Sequence, residues 1–240
     1  EKKIRVSLIY SRSIITSILL SLFQIKNVLE IHHDLQSFTK IIFNFLYFKF
    51  LNKNLLIVLL HNNLKKILPK KFDKFIILDD AVELRDFLKR KIIKKNNLFS
   101  FSSFGSLTRG KGVELISKLS KKLPKVHFDI YGDTNFLYDK KLLNTSSNMR
   151  FFGHINYSEV LKKMSSYDVV LMPYLNRVTV RSKNLDTAKF MSPLKLFEYM
   201  AGAKIIIASK LPVYSHILKN NYNSILLPNN KLNLWVKKIN

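Results

Sequence analysis

The sequence predicts an α/β fold with parallel sheets, because strand-like and helix-like segments alternate in the order that such folds require. A polar, loop-like run at residues 176–189 precedes a helix start at Ser192 and then an apolar strand candidate at residues 205–208. Near the beginning of the chain, residues 6–12 and 28–35 are apolar runs that each end in polar residues. Parallel α/β domains bind ligands at the carboxyl ends of their strands, so we look for a site there.

Residues 39–51 carry bulky apolar side chains interrupted by lysines, and the apolar character continues to Leu60. Two interpretations stay open: a helix that lies on a membrane surface, and a helix packed between a sheet and solvent. A membrane-spanning helix is excluded, because Lys49, Asn52 and Lys53 would lie inside the hydrocarbon layer. We predict a helix, a turn and then a strand.

The segment 192–200 combines a helix start, a cation and a carboxylate at set spacings. Ser192 is a preferred N-cap and Pro193 suits the first helical position, so the backbone N–H groups at this end are free to attract an anion. Lys195 lies in the first turn. Glu198 follows on the same face, where its carboxylate can accept hydrogen bonds from the hydroxyl pair of a ribose. This pattern predicts a seat for a nucleotide diphosphate.

An ordinary packed helix is the alternative interpretation of the same segment. Leu194, Phe197, Met200 and Ala201 form the apolar stripe that any such helix needs. Leu194 therefore has two predicted roles, as part of this stripe and as a substrate-binding residue at the helix start.

Four segments in a fixed order carry a family resemblance that extends from about Leu98 to the end of the chain. Residues 104–113 resemble a first strand, a glycine turn and a helix start, and residues 127–133 resemble the next strand, ending in Tyr-Gly-Asp. Residues 170–174 and 186–191 follow. Together these segments resemble the nucleotide-binding half of the group 1 glycosyltransferases. The resemblance implies a GT-B fold: two Rossmann-like domains with parallel sheets, the N-terminal one truncated.

The resemblance also implies a reaction, the transfer of a sugar from a nucleoside diphosphate sugar to an acceptor hydroxyl with retention at the anomeric carbon. No metal and no other cofactor is expected. The departing diphosphate gains negative charge, which Lys111, Lys195 and the helix start at Ser192 can neutralise. Arg109 is a weaker candidate for the same task, and for Lys111 the alternative is a solvated lysine that opens a helix. We expect a hexosyltransferase that acts in polysaccharide or glycolipid biosynthesis.

Two positions depart from the family pattern. The first Glu of the common pair of glutamates falls on Phe190 here, so a contact to the donor sugar is unassigned, and Asp186 or Thr187 can supply it from the preceding loop. Ser106 stands where many members carry an Arg that helps to hold the diphosphate. Arg109 is the residue that we expect to compensate.

The first part of the chain resembles the end of the acceptor domain of the same family. The resemblance implies that His33 lines the cleft and touches the donor sugar or the acceptor, with Asp34 orienting it. An imidazole can form a hydrogen bond or transfer a proton near neutral pH. A turn histidine bonded to the backbone is the alternative. The other histidines have no partners at metal-ligand spacing, so no metal site is predicted.

We predict two domains, a partial N-terminal acceptor-side domain at residues 1–95 and a C-terminal nucleotide-sugar-binding domain at residues 96–240. The basic stretch 88–97 suits a linker or an exposed edge. Because 240 residues are few for a complete two-domain enzyme of this type, we expect the chain to be a fragment whose beginning is missing.

The chain is strongly basic, with 41 Lys and Arg against 16 Asp and Glu and a formal net charge of +25. Such a field attracts polyanions. No known nucleic-acid-binding pattern accompanies it, so nucleic acid is not an expected partner. The expected partners are a nucleotide-sugar donor, a saccharide or lipid-linked acceptor, and an anionic membrane surface. A non-catalytic basic protein of the same fold that binds an anionic membrane or polymer is the alternative function.

The chain contains no cysteine. This agrees with a reducing compartment, and we expect a cytoplasmic location at the inner face of the membrane.

Overall fold

The computed structural model describes residues 8–33, 35, 37–47, 53–68, 74–88, 99–180 and 183–240. The chain divides into two compact units: unit 1 is formed by Glu1–Asp80 with Lys189–Ser192, and unit 2 by Ala81–Ala188 with Pro193–Asn240. The domain boundary at residue 95 and nearly all of the predicted linker lie outside the described residues, so this boundary stays a prediction.

Unit 1 contains a parallel four-stranded sheet in the order β1-β2-β3-β4. Its elements are β1 (Ile9–Ser11), α1 (Ile14–Leu22), β2 (Asn27–Ile31), α2 (Ser37–Leu46), β3 (Leu55–Leu59) and β4 (Phe75–Ile77). The strands predicted within residues 6–12 and 28–35 are confirmed. The helix, turn and strand predicted from residue 39 onwards are confirmed as α2 and β3.

The core of unit 1 forms on one face of this sheet, where Leu29, Ile57 and Leu59 pack with Phe43 of α2. Helix α1 has an unusual distribution of side chains. Ser17 and Ser21 are its buried residues, whereas Ile15 and Leu19 are exposed. The Ser21 hydroxyl donates to the backbone carbonyl of Ser17 at 2.8 Å and accepts a hydrogen bond from the side-chain amide of Asn27 at 2.8 Å.

Unit 2 contains a parallel six-stranded sheet in the order β12-β11-β8-β5-β6-β7 and a small antiparallel pair, β9 and β10. Its strands are β5 (Phe101–Phe104), β6 (Phe128–Tyr131), β7 (Met149–Phe151), β8 (Val169–Met172), β9 (Thr179–Val180), β10 (Lys183–Asp186), β11 (Ile205–Ser209) and β12 (Ile225–Leu227). Its helices are α3 (Arg85–Leu88), α4 (Val113–Lys122), α5 (Tyr157–Ser165), α6 (Leu194–Ala201) and α7 (Leu232–Ile239).

This alternation of parallel strands and helices is Rossmann-like, as predicted. The core of unit 2 packs α4 and α7 against the sheet, with Ile116, Leu119 and Trp235 almost fully enclosed. Strands β5, β6 and β7 follow one another on one side of the sheet, and β8, β11 and β12 follow one another on the other, so the strand order reverses between β5 and β8.

The start of α6 differs from the prediction by one residue. Ser192 is not the N-cap: Pro193 takes that position, and helical backbone begins at Leu194. The Ser192 hydroxyl instead accepts a hydrogen bond from the N–H of Asp80 at 2.8 Å. A cap residue binds the N–H groups of its own first turn, and Ser192 uses its oxygen within unit 1.

The segment predicted as a loop before this helix is partly ordered into β9 and β10. Polar composition suggested a loop. The pair forms because Asp186 and Thr187 satisfy backbone groups around Val178, through interactions that pair residues eight or nine positions apart.

Candidate functional site

The candidate site lies at the carboxyl ends of β5 and β8, where the strand order of unit 2 reverses. Such a reversal opens a crevice beyond the strand ends, because the connections on its two sides lead away in opposite directions. The loop after β5, the end of β8 and the first turn of α6 supply the side chains here.

Gly105, directly after β5, leaves room for a lysine tip against the backbone. Its φ angle of +118° lies in a region that favours glycine. A Cβ atom at this position would lie 2.6 Å from Nζ of Lys195. The loop after β6 is equally close, since a Cβ on Gly132 would lie 2.1 Å from the carbonyl oxygen of Gly105. Larger residues at either position would push the site apart.

Lys111 reaches the site from the turn between β5 and α4. Its backbone N–H donates to the carbonyl of Thr108 at 3.1 Å, which closes the turn. Gly112, with φ of +95°, is the N-cap of α4. A Cβ on Gly112 would lie 2.4 Å from the carbonyl oxygen of Pro173, so the turn packs directly on the backbone that follows β8.

The two predicted lysines meet over one aromatic ring. Nζ of Lys111 lies 4.6 Å from the centroid of the Tyr174 ring, and Nζ of Lys195 lies 5.6 Å from the same centroid. Tyr174 is buried, with 2% of its surface exposed. Sequence analysis placed Tyr174 at a strand end and gave it no role. No spacing rule would have found it, because the contacts join three separate segments of the chain.

Removal from water disfavours the charged, protonated form of both lysines. Each residue as a whole is partly exposed, yet the two ammonium groups are desolvated. Burial lowers the pKa of Lys111 to about 8. Burial, with repulsion from Lys111, lowers the pKa of Lys195 to about 7, and attraction to Glu198 opposes this shift. A bound anion would favour the charged form of both groups.

The first turn of α6 adds backbone dipoles to the lysine charges. Its N-cap, Pro193, makes no side-chain capping bond. Leu194 is the first helical residue; the N–H of Leu196 donates to the carbonyl of Pro193 at 2.8 Å, and the N–H groups of Leu194 and Lys195 precede the first helical hydrogen bond. Such an end attracts anions.

Glu198 lies one turn further along α6 and is buried, with 8% of its surface exposed. Burial raises the pKa of its carboxyl group, while the charge of Lys195 opposes the shift. Lys195 and Glu198 therefore lie on one helix at the spacing expected from the sequence, and their roles in binding an anion and a ribose stay predictions.

A groove of about 330 Å³ adjoins this seat, and sequence analysis missed it. Gly105, Ser106 and Gly132 line one part, and His154 and Asn156 line another. The only sequence signal was the polar character of the residues after β7, at the same edge of the sheet.

Arg109, Asp186 and Thr187 are engaged elsewhere in unit 2. The guanidinium group of Arg109 lies 5.7 Å from the ring centroid of Tyr138. One carboxylate oxygen of Asp186 accepts hydrogen bonds from the N–H groups of Val178 and Ala188. The hydroxyl of Thr187 donates to the carbonyl of Val178 at 3.2 Å. The predicted contacts of all three with the donor stay predictions.

His33 belongs to unit 1, where it lines a cavity of about 280 Å³ with Arg12, Glu30 and His32. Glu30 is the centre of this cluster: its carboxylate binds Arg12 at 2.9 Å and also contacts His32 and the hydroxyl of Tyr10. Burial and the hydrogen bond to Glu30 raise the pKa of Tyr10 to about 12. The role predicted for His33 stays a prediction.

Asp34, the residue predicted to orient His33, lies outside the described residues.

Among the residues that the structure describes, no three His, Cys, Asp or Glu side chains form a group that could hold a metal ion. Within the same residues, every helix is too short or too polar to cross a membrane.

A protein-family model described as "Glycosyl transferases group 1" matches residues 85–240. No curated protein matches the chain.

Solved structures match the fold at low sequence identity. A glycosyltransferase from Rickettsia africae is 16% identical with a TM-score of 0.73, over 98% of this chain and 65% of its own. HepE from Anabaena in complex with UDP is 12% identical with a TM-score of 0.71, over 97% and 68%. Sucrose-phosphate synthase from Thermosynechococcus elongatus is 13% identical with a TM-score of 0.69, over 97% and 63%. The chain thus spans about two thirds of the length of these proteins.

Proposed function

Because the chain belongs to the group 1 glycosyltransferase family, we propose that it transfers a sugar from a nucleoside diphosphate sugar to an acceptor hydroxyl. The observation that carries the proposal is the convergence of two desolvated ammonium groups, those of Lys111 and Lys195, on one ring beside the uncapped start of α6. This arrangement concentrates positive charge where a diphosphate would sit.

In the transfer, the bond between the anomeric carbon and the diphosphate oxygen breaks and its electron pair goes to the diphosphate. Lys111, Lys195 and the N–H groups at Leu194 would stabilise that charge, and they are held in place before the reaction begins. The acceptor hydroxyl oxygen forms the new bond to the anomeric carbon, and its proton passes to the departing diphosphate. Retention of configuration and independence of metal ions belong to the proposal because the family resemblance implies them.

We assign the remainder of the donor to neighbouring parts of unit 2. The carboxylate of Glu198 would accept hydrogen bonds from the ribose hydroxyls. The groove between Gly105, Gly132 and His154 has room for the base. UDP is the first nucleotide to test, because the similar protein HepE from Anabaena is seen in complex with UDP. Two further structures of HepE contain UDP with glucose and UDP-glucose. A hexose is accordingly the proposed sugar.

His33 remains the proposed contact to the reacting sugar or the acceptor. A saccharide or a lipid-linked saccharide is the proposed acceptor class, which would place the reaction in polysaccharide or glycolipid biosynthesis.

Calorimetric titration of UDP, GDP and ADP tests the donor site. We expect Lys195→Ala to weaken binding of the preferred nucleotide about tenfold or more, since a hydrogen bond to a charged group contributes ~1.5–3 kcal/mol. Glu198→Ala should weaken binding of the nucleotide and leave binding of inorganic pyrophosphate unchanged, because pyrophosphate has no ribose.

Lys118→Ala is the matched control, because it removes the same charge from an exposed position of α4. Equal affinities in the wild type, Lys195→Ala and Lys118→Ala would refute the proposed donor site.

A second candidate function, attachment to an anionic membrane, is favoured by one feature of unit 1. The contacting helices α1 and α2 expose large apolar side chains at helical spacings: Ile15, Leu19, Leu22 and Phe23 at α1, and Phe38, Ile41, Ile42 and Phe45 on α2. Together with the net charge of +25, these stripes suit an interfacial surface. A glycosyltransferase could also attach to a membrane in this way. In the alternative function, a non-catalytic basic protein of the same fold, membrane attachment would be the only activity.

A further inference from the structure

Tyr174 contacts both lysines of the cationic site through its aromatic ring. Its ring centroid lies 4.6 Å from Nζ of Lys111 and 5.6 Å from Nζ of Lys195. Two contacts hold the backbone that carries the ring. Its backbone carbonyl accepts a hydrogen bond from the side chain of Asn229 at 3.1 Å, and the preceding Pro173 packs against the turn at Gly112.

The ring can offset the electrostatic cost of placing two ammonium groups in this site. Two ammonium groups that are close together and removed from water repel each other and tend to lose their protons. Among the described residues, neither lysine forms an ion pair with a carboxylate. An aromatic face attracts cations, most strongly where water is excluded, and it does so without occupying their N–H donors. The ring can therefore stabilise both charges and leave the donors free for an incoming anion.

We propose that Tyr174 is a positioning residue, whose ring holds the ammonium groups of both Lys111 and Lys195 beside it, ready to receive the diphosphate. This inference rests on the proposed function, because it assigns Tyr174 a task at the proposed donor site. Tyr174 touches the lysines and acts on the diphosphate only through them.

A tyrosine that merely fills the core makes different predictions. Core filling depends on the volume of the side chain, whereas the proposed role depends on an aromatic face. Tyr174→Leu removes the face and keeps an apolar side chain, and Tyr174→Phe keeps the face and removes only the hydroxyl. The pair of variants separates the two roles.

The first measurement is the affinity for UDP and for inorganic pyrophosphate, by calorimetry on the whole chain. We expect Tyr174→Leu to weaken both ligands by about tenfold or more, from the size of cation–π interactions at desolvated sites. Tyr174→Phe should restore most of the affinity. Pyrophosphate is informative because it lacks the base and the ribose, so a loss of its affinity reports on the lysines and the start of α6.

The second measurement observes the lysine side chains directly, by NMR of the Cε groups in protein labelled with ¹³C-lysine. Lys111→Arg and Lys195→Arg assign the two signals. We expect both signals to be shifted upfield by the ring in the wild type and in Tyr174→Phe. In Tyr174→Leu the upfield shift should vanish, and the lysine titrations should move to lower pH.

The titration must be interpreted with every charged or titratable group that faces the ring. These groups are Lys111 on the turn before α4, Lys195 and Glu198 on α6, and the phenols of Tyr199 and Tyr214. None of the proposed substitutions alters Glu198, Tyr199 or Tyr214, so their contributions are common to all variants.

Failure of this inference is distinguishable from failure of the proposed function. If Lys195→Ala weakens UDP binding but Tyr174→Leu and Tyr174→Phe bind it equally well, Tyr174 has no positioning role and the donor site stands. If Lys195→Ala binds UDP as the wild type does, the donor site itself is wrong. Should Tyr174→Leu fail to fold, lysine signals without an upfield shift in the wild type would still overturn the inference.

Discussion

The ammonium group of Lys195 is buried, and burial disfavours its charged form. Its pKa is lowered to about 7 and that of Lys111 to about 8, in both cases chiefly by burial. In the unfolded chain both lysines keep their protons to higher pH, so between these pKa values and about pH 10.4 the unfolded state binds more protons. The two groups therefore oppose folding at neutral pH, and the free energy of unfolding rises with pH in that window. Such a disadvantage is typical of groups kept for function.

Gly105 is the residue whose replacement should affect the site most selectively. In Gly105→Ala the new Cβ would displace the tip of Lys195, and the positive φ angle adds strain of about 1–2 kcal/mol. Gly153 is a matched control, because its φ is also positive, at +73°, and a Cβ there would meet nothing within 4 Å.

We expect both glycine variants to lose stability in urea unfolding, Gly105→Ala the more because only its Cβ meets a neighbouring side chain, and only Gly105→Ala to bind UDP more weakly, by about tenfold if one charged hydrogen bond is lost. Equal UDP affinity in the two variants would show that Lys195 does not depend on the space above Gly105.

Helix α6 shows how far local sequence rules extend. The Ser-Pro pair correctly indicated a helix start, and Lys195 and Glu198 lie on that helix as predicted. Capping preferences could not reveal that Ser192 binds the N–H of Asp80, because a partner 112 residues away is invisible to a local rule. The displaced start leaves α6 without a capping side chain, which suits an anion seat better than the predicted cap.

The strands were predictable for a different reason. Apolar runs that end in polar residues, such as those within residues 28–35 and 205–209, must cross a core and emerge at its edge. The pair β9 and β10 was not predictable, because its order comes from Asp186 and Thr187 bonding back to Val178 rather than from an apolar pattern. Tyr174 was missed because its role depends on three segments meeting.

At the scale of the whole molecule, the fold is retained although the sequence has diverged. Similar structures share only 12–16% of their residues with this chain and still align over 97–98% of it. Many different sequences are therefore compatible with this architecture, as expected where core volume and patterning matter more than particular core residues. The net charge of +25 comes from lysines and arginines spread along the whole chain.

Membrane attachment is also a whole-molecule property, and vesicle sedimentation tests it. We expect the protein to sediment with vesicles that contain anionic lipid, and less so with neutral ones or at high salt, because screening weakens the charge attraction. Phe38→Ser on α2 should reduce binding, since that side chain is 76% exposed. Tyr222→Ser, at an 87% exposed aromatic residue of unit 2, is the control and should have no effect. Equal binding of both variants would exclude α2 from the contact.

If a diphosphate binds between two lysines whose pKa values are lowered in the free protein, its binding must change their protonation. Calorimetry of UDP binding at about pH 8, repeated in buffers of different ionisation enthalpy, measures the protons exchanged on binding. Because an anion favours the charged lysines, the account predicts proton uptake in the wild type and a smaller uptake in Lys195→Ala. Binding of UDP with no proton uptake, or with the same uptake in both proteins, would contradict it.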